Sequence, residues 1–260
     1  MRVVGVDLAA GRRGTALAVL DGMTVVDLTV GVSDACVVAA AEGADKLGID
    51  CPLGWPNAFV DFVNAHRDGH VPLPPGGIGE EHEDAATDAK NTNDAVNGAQ
   101  RQRLAYRVTD EAVRGAFPGL VPLSVAADRI AHTAMRCAGL LSALAAAGHG
   151  VKRDGSELVV EVYPAASLRY WKQNHRRYKG NRNLDALGTL TDMLAEHVDL
   201  GQYVDRCRAS DHAFDAVIAA LTARAAALGR TTPPSAGQRA VALTEGWIAV
   251  PSRPLADLRA

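Results

Sequence analysis

The most constraining feature of the chain is its first thirty residues, three apolar runs punctuated by turns. Val3-Val4-Gly5-Val6-Asp7-Leu8 ends in a carboxylate and is followed by a turn at Gly11-Arg12-Arg13-Gly14. Thr15 to Leu20 and Met23 to Val30 are the next two runs, separated by Asp21-Gly22, a pair favoured in the two-residue loop of a type I′ hairpin. Short runs rich in β-branched residues read as strands. The chain is therefore expected to open as a three-stranded antiparallel meander.

Beyond it the pattern alternates. Ser33 is placed to cap a short helix reaching about Gly43, and Lys46 to Cys51 reads as a buried strand stopped by Pro52. Residues 57 to 123 are long and polar, broken by Pro72, Pro74, Pro75, Gly76, Gly77 and Gly79, with Glu80, Glu81, Glu83, Asp84, Asp88 and Asp94 clustered there. This stretch is expected to be an insertion or lid. Val125 to Ala147 reads as one long helix, Leu158 to Tyr163 as a buried strand closed by Pro164, and 183–199 as helical. Ser210 to Leu228 reads as an amphipathic helix ended by Gly229. A final hairpin is expected from Ala240–Leu243 and Trp247–Val250, turning at Glu245-Gly246. The order, β-β-β-α-β-insertion-α-β-α, describes an α/β core with a mixed sheet, a single domain over 1–260. The ribonuclease H-like fold shares that order.

Composition narrows the function classes. With 48% hydrophobic and 22% charged residues over 260 positions, the chain is an ordinary globular one with room for a sizeable core. No run approaches the ~18 apolar residues of a membrane span, and Asp7 interrupts any apolar signal segment. Cys36, Cys51, Cys137 and Cys207 lie far apart, which argues against a zinc ribbon or disulfide scaffold and suits a cytoplasmic location. A formal charge of −3 gives no global attraction to polyanions, so nucleic acid would have to be met by a local patch.

The acids carry the chemistry. Asp7, Asp50 and Glu161 each fall within or at the end of an expected buried strand, where charge is costly unless paired or bound to a metal. On a helical wheel with Asp211 as origin, Asp215 lies at about 40°, at the border of the apolar face made by Phe214, Val217, Ile218 and Leu221. Simpler roles exist singly: Asp211 at a helix N-terminus, Asp50 in a turn, Asp7 paired with Arg12 or Arg13. Jointly the acids point to a site for Mg²⁺ or Mn²⁺, one or two ions, with Asp7, Glu161, Asp211 and Asp215 as ligands and Asp50 as ligand or neighbour. Two ions in such a site activate a water and stabilise the leaving oxygen of phosphate chemistry. His66 and His70 have helical spacing, with His82 further on, but no firm third ligand completes a zinc site.

One segment is basic. Arg169, Lys172, Arg176, Arg177, Lys179 and Arg182 occur without an acid among them, interleaved with Tyr170, Trp171 and Tyr178. Basic groups neutralise phosphates and aromatic faces stack on bases, so this segment is a candidate contact for nucleic acid or a phosphorylated small molecule. Arg107, beside Thr109 and Asp110, could grip a phosphate or pair with Asp110.

Seven short motifs in order resemble a known family: Gly-Val-Asp-Leu-Ala at the start, Gly-Ile-Asp-Cys-Pro-Leu-Gly-Trp-Pro at 48–56, Arg-Val-Thr-Asp at 107–110, Glu-Val-Tyr-Pro-Ala-Ala at 161–166, Tyr-Lys-Gly at 178–180, Asp-His-Ala-Phe-Asp-Ala at 211–216 and Glu-Gly-Trp-Ile-Ala-Val-Pro at 245–251. Together they resemble the domain-of-unknown-function family 429, whose members are described as predicted nucleases of ribonuclease H-like fold. The resemblance implies metal-holding acids on the first strand, the fourth strand and the last helix, which map to Asp7, Asp50 and Asp211 or Asp215. Glu161 lies on the next strand and departs from that pattern, so Asp50 and Glu161 both stay candidates. The reading is a metal-dependent nuclease. The alternatives are an ATP-dependent phosphotransferase of actin or sugar-kinase type, using residues Asp7 to Thr15 as a phosphate hairpin, and a non-catalytic scaffold.

Overall fold

The computed structural model describes residues 1–70 and 102–259. The meander forms as expected: β1 (Arg2–Asp7), β2 (Ala16–Asp21) and β3 (Thr24–Val30) pair antiparallel. The turn falls one residue later than expected, at Gly22-Met23 between the paired Asp21 and Thr24. Gly22 has φ +58° while Met23 is not left-handed, as in a type II′ rather than a type I′ loop. After α1 (Asp34–Ala41), capped by the Ser33 hydroxyl accepting from the Cys36 amide, the chain returns as β4 (Lys46–Asp50), parallel to β1.

The next segment is more helical than its composition suggested. It carries α2 (Asn57–Arg67) and α3 (Val108–Ala116). The Pro- and Gly-rich acidic stretch of the expected insertion, and His82, lie outside the described residues. Then follow α4 (Ile130–Ala146), β5 (Val159–Val162), α5 (Pro164–Tyr170), α6 (Leu184–Ala195), α7 (Val204–Ala209), α8 (Asp211–Ala227), α9 (Arg239–Glu245) and β6 (Ile248–Ala249). The expected long helix starts at Ile130 rather than Val125, because Ser124 and Asp128 tie the preceding residues into a turn through Asp128 to the Ser124 amide and Ser124 to the Ala127 amide.

Among the described residues the sheet has six strands in the order β3-β2-β1-β4-β5-β6, with β1, β4, β5 and β6 mutually parallel. The C-terminal hairpin is not formed. Residues 239–245 are helical, Gly246 at φ +91° ends that helix, and Ile248-Ala249 pairs parallel with β5 at the sheet edge. Ala, Leu and Glu are good helix formers, and a short apolar run before a glycine is equally a helix C-terminus.

Alternating strand residues feed two cores. Val4, Val6, Leu47 and Ile49 face α1 and α4, while Val3, Ala18, Val160 and Val162 face α8. The helix α8 corrects a further expectation. It is not amphipathic but buried without a break from Ala213 to Ala225, between the sheet and the outer helices. Its alanines make this possible, since no long side chain holds it off the sheet. Among the described residues, no helix is long and apolar enough to cross a membrane.

Candidate metal centre

Side chains two apart on a strand share a face. Gly5 and Asp7 therefore point to the same side of β1, and Gly48 and Asp50 to the same side of β4; the parallel register pairs Gly5 with Gly48 and Asp7 with Asp50. The two glycines receive α8. A Cβ on Gly5 would stand 2.1 Å from the Ala220 nitrogen, and one on Gly48 would stand 2.6 Å from the Ala219 carbonyl oxygen. From there, two strand residues advance roughly 6.6 Å, and the four or five helix residues back to Asp215 cover roughly 6–7.5 Å. The lengths match, so Asp215 arrives beside Asp7 and Asp50. Carboxylate oxygens of the three aspartates lie within 4.8 Å of one another.

The centre sits at the C-terminal ends of parallel strands, the usual place for ligands in open α/β sheets. Asp7 and Asp215 are buried and Asp50 is half-buried. Burial raises the Asp50 carboxyl well above the ordinary carboxylate range; Lys179 opposes this, and the charges of Asp7 and Asp215 add to it. Burial likewise pushes Asp215 up to about 6 against the pull of Lys179. Three carboxylates crowded this closely are an acidic triad that could bind a metal ion. An all-oxygen donor set suits a hard cation.

Neighbouring groups organise the triad. The Tyr178 hydroxyl donates to Asp215 Oδ1 at 2.8 Å, and the Lys179 ammonium lies 2.6 Å from Asp215 Oδ2. The Gly180 amide donates to Asp211 Oδ2 at 2.8 Å. Thus the whole Tyr-Lys-Gly run is fastened to the first turn of α8. On the far side, His212 Nδ1 lies 2.6 Å from Asp7 Oδ2, and that hydrogen bond raises the imidazole above its ordinary value although partial burial opposes it.

A family model described as "Protein of unknown function (DUF429)" matches residues 5–239. The chain belongs to that family. Every member of the centre lies within the matched span of this DUF429 chain. Neither the curated proteins nor the solved structures compared with it give a match.

The DUF429 chain leaves two of the expected acids out of the centre. Glu161 is the register partner of Ile49, not of Asp50, so it projects to the opposite face of the sheet. There its two oxygens meet Arg107 Nη1 and Nη2, each at 2.7 Å, and Oε2 also accepts from the Leu53 amide at 3.0 Å. Asp211 is held by Gly180 and does not reach the triad.

Arg107 is corrected with Glu161. It is only 1% exposed, bridging Glu161 and Asp110, so no phosphate contact reaches it in this arrangement. The Arg-Val-Thr-Asp run is a brace: Thr109 Oγ1 accepts the Ile248 amide of β6 at 2.8 Å. Glu245, expected in a turn, is buried and caps two helices at once, accepting the Asn57 amide on Oε1 and the Val108 amide on Oε2, both at 2.8 Å.

In the basic segment, Arg169, Lys172, Arg176, Arg177, Lys179 and Arg182 are exposed and Tyr170 is half-buried, but two of the three aromatics expected as stacking faces are not free. Trp171 and Tyr178 are core residues, Tyr178 packing edge-on against Phe214 at 5.8 Å between ring centroids. Lys172 and Arg177 hold left-handed backbone at φ 59° and 54°. Each such non-glycine costs on the order of 1 kcal/mol or more and persists where the surroundings over-determine it. For Arg177 the ties of residues 178–180 to α8 supply that restraint, and Lys172 is the left-handed residue that ends α5, with the Lys172 and Gln173 amides closing on the Arg169 and Leu168 carbonyls.

His212 was not expected at the centre, because the wheel turns it 100° from Asp211. It reaches Asp7 because β1 passes beneath that flank of α8, a relation between elements that no single-helix pattern contains.

Proposed function

We propose that the protein is a metal-dependent phosphodiesterase, a nuclease acting on nucleic-acid phosphodiester bonds from a ribonuclease H-like core. The observation that carries the reading is the meeting of Asp7, Asp50 and Asp215 at strand ends, with oxygens within 4.8 Å. The strand order β3-β2-β1-β4-β5, with an antiparallel meander leading into parallel strands and acids ending β1 and β4, supports the fold assignment.

Asp7, Asp50 and Asp215 are the residues to hold Mg²⁺ or Mn²⁺. The chemistry a hard divalent cation supplies there is polarisation of a phosphoryl oxygen and a water acidic enough to attack phosphorus near neutral pH. The remaining work belongs to the chain. Tyr178 orients the Asp215 carboxylate and His212 orients that of Asp7. Lys172, Arg176, Arg177 and Arg182 form the exposed basic rim that receives backbone phosphates. With Trp171 and Tyr178 buried, that rim reads charge rather than base identity.

The test is incubation with labelled single- and double-stranded DNA and RNA in Mg²⁺, Mn²⁺ or EDTA. Cleavage that requires the cation and disappears in Asp50→Asn is the expected result. Cleavage persisting in EDTA or in Asp50→Asn would overturn the reading, as would failure of Mn²⁺ to bind.

A further inference from the structure

The position of Lys179 bears on how many ions the centre takes, an inference that rests on the metal-dependent reading above. Lys179 is fastened on both sides. Tyr178 before it is buried and bonded to Asp215, and Gly180 after it donates its amide to Asp211. Arg177 and Gly180, both at positive φ, turn the backbone so that these ties form together. The result is that the lysine side chain stays 57% exposed while its ammonium ends on the buried Asp215 carboxylate. A flexible surface lysine gains little from an ordinary exposed ion pair; this one is delivered to its partner by its neighbours.

Two-ion phosphate centres place their cations about 3.5–4 Å apart and share a carboxylate between them, one oxygen to each. With Asp50, which has no ion pair among the described residues, shared between two ions, each ion still needs a carboxylate of its own, one taking Asp7, whose other oxygen carries His212, and the other taking Asp215. Yet Asp215 has Tyr178 on Oδ1 and Lys179 on Oδ2. Each oxygen keeps a lone pair for one further bond, but a second divalent cation on Oδ2 would stand against the ammonium. Charge points the same way. One divalent ion plus one ammonium balances the three carboxylates of the triad, whereas two divalent ions beside the ammonium exceed them.

We propose that the centre takes a single divalent cation, and that the Lys179 ammonium supplies the positive charge that a second ion gives in two-ion centres. Lys179 thereby belongs to the centre and not to the general phosphate-binding rim.

The experiment counts ions on the full chain by calorimetric titration with Mn²⁺ alone, confirmed by the paramagnetic resonance of unbound Mn²⁺. Wild type and Lys179→Arg are expected to bind one ion per chain. Lys179→Gln, which keeps a polar side chain but removes the charge, is expected to bind two. Thermal melts establish that each variant is folded, and the exposure of the side chain makes the substitutions compatible with folding. Two ions in the wild type, or a single ion in Lys179→Gln, would overturn the proposal while leaving the phosphodiesterase reading standing. No ion in the wild type would remove that reading and this proposal with it.

Discussion

Gly5 lies beneath Ala220, so close that a Cβ on the glycine would stand 2.1 Å from the Ala220 nitrogen and 2.2 Å from the Ala216 carbonyl oxygen. The obstructing atoms are backbone, so no rotamer change relieves the contact. Either β1 bends or α8 lifts. Gly5→Ala is expected to destabilise the fold by about 3 kcal/mol or more, the upper end of overpacking effects. Lifting α8 also carries Asp215 away from Asp7 and Asp50. Urea unfolding and a Mn²⁺ titration check both parts; an unchanged midpoint with unchanged affinity would show that the helix does not ride on this glycine.

Asp50 is the member of the triad without an ion pair among the described residues, since Lys179 pairs with Asp215 and His212 with Asp7. Its carboxyl is raised, with burial the leading cause, so the folded state holds this proton more firmly than the unfolded chain does. The associated stability is full below the ordinary carboxylate range and is lost as pH rises through the folded value. Asp50→Asn should therefore stabilise the metal-free protein above that value, by on the order of 1 kcal/mol, and the gain should vanish in acid. Melting curves across pH in EDTA measure it. Saturating Mn²⁺ should reverse the order, wild type then melting higher.

Metal binding should itself depend on pH. Asp215 titrates at about 6 in the metal-free protein, and Asp50 is raised as well. Ligand carboxylates must lose their protons to bind. Mn²⁺ affinity is thus expected to fall up to tenfold for each pH unit below about 6 per proton displaced. A titration series in non-coordinating buffers checks this; a flat profile between neutral and mildly acidic pH would place the ion elsewhere.

Glu161 separates a brace from a ligand. Removing one partner of a buried ion pair costs about 3–5 kcal/mol, and Glu161→Gln leaves Arg107 with Asp110 alone on its charged side. The variant is expected to lose stability toward the lower end of that range while its folded form keeps wild-type Mn²⁺ affinity. Affinity lost in step with Asp50→Asn would return Glu161 to the centre.

The basic rim should act on nucleic acid without acting on the fold. Lys172 and Arg182 are exposed, and Arg182→Gln with Lys172→Gln should change stability by no more than about 0.5 kcal/mol. Each phosphate contact removed should lower the slope of log affinity against log salt by about 0.7–0.9. Fluorescence anisotropy at several salt concentrations measures this, and identical slopes would place the nucleic acid on another face.

Much of this architecture was legible in the sequence because it is local. The apolar runs from Val3 to Val30 define the meander, Ser33 marks a helix start by capping, and Asp7 and Asp50 are recognisable as carboxylates at strand ends. Asp215 was legible too, as an acid at the edge of a helical apolar face. What failed locally was the type of one short apolar segment: Arg239–Glu245 is a helix, because a run of that length fits either state until a partner is present, while the strand expected at Trp247–Val250 forms at Ile248-Ala249 but pairs parallel with β5 instead of closing a hairpin.

Which acids meet was decided by tertiary structure. Periodicity tells which residues of one element share a face, but it contains no phase between elements. Glu161 resembles Asp50 in every local respect, yet pairing Ile49 rather than Asp50 with Glu161 sends it to the other face and to Arg107. Asp211 and Asp215 lie close together on the wheel, yet only Asp215 reaches the strands, while His212 meets Asp7 from a direction the wheel gives no reason to choose. The sequence by itself determined the elements and stocked them with carboxylates. The register of β5 on β4, and the depth to which Gly5 and Gly48 admit α8, decided which three converge, since contacts between distant segments depend on offsets that no local pattern encodes.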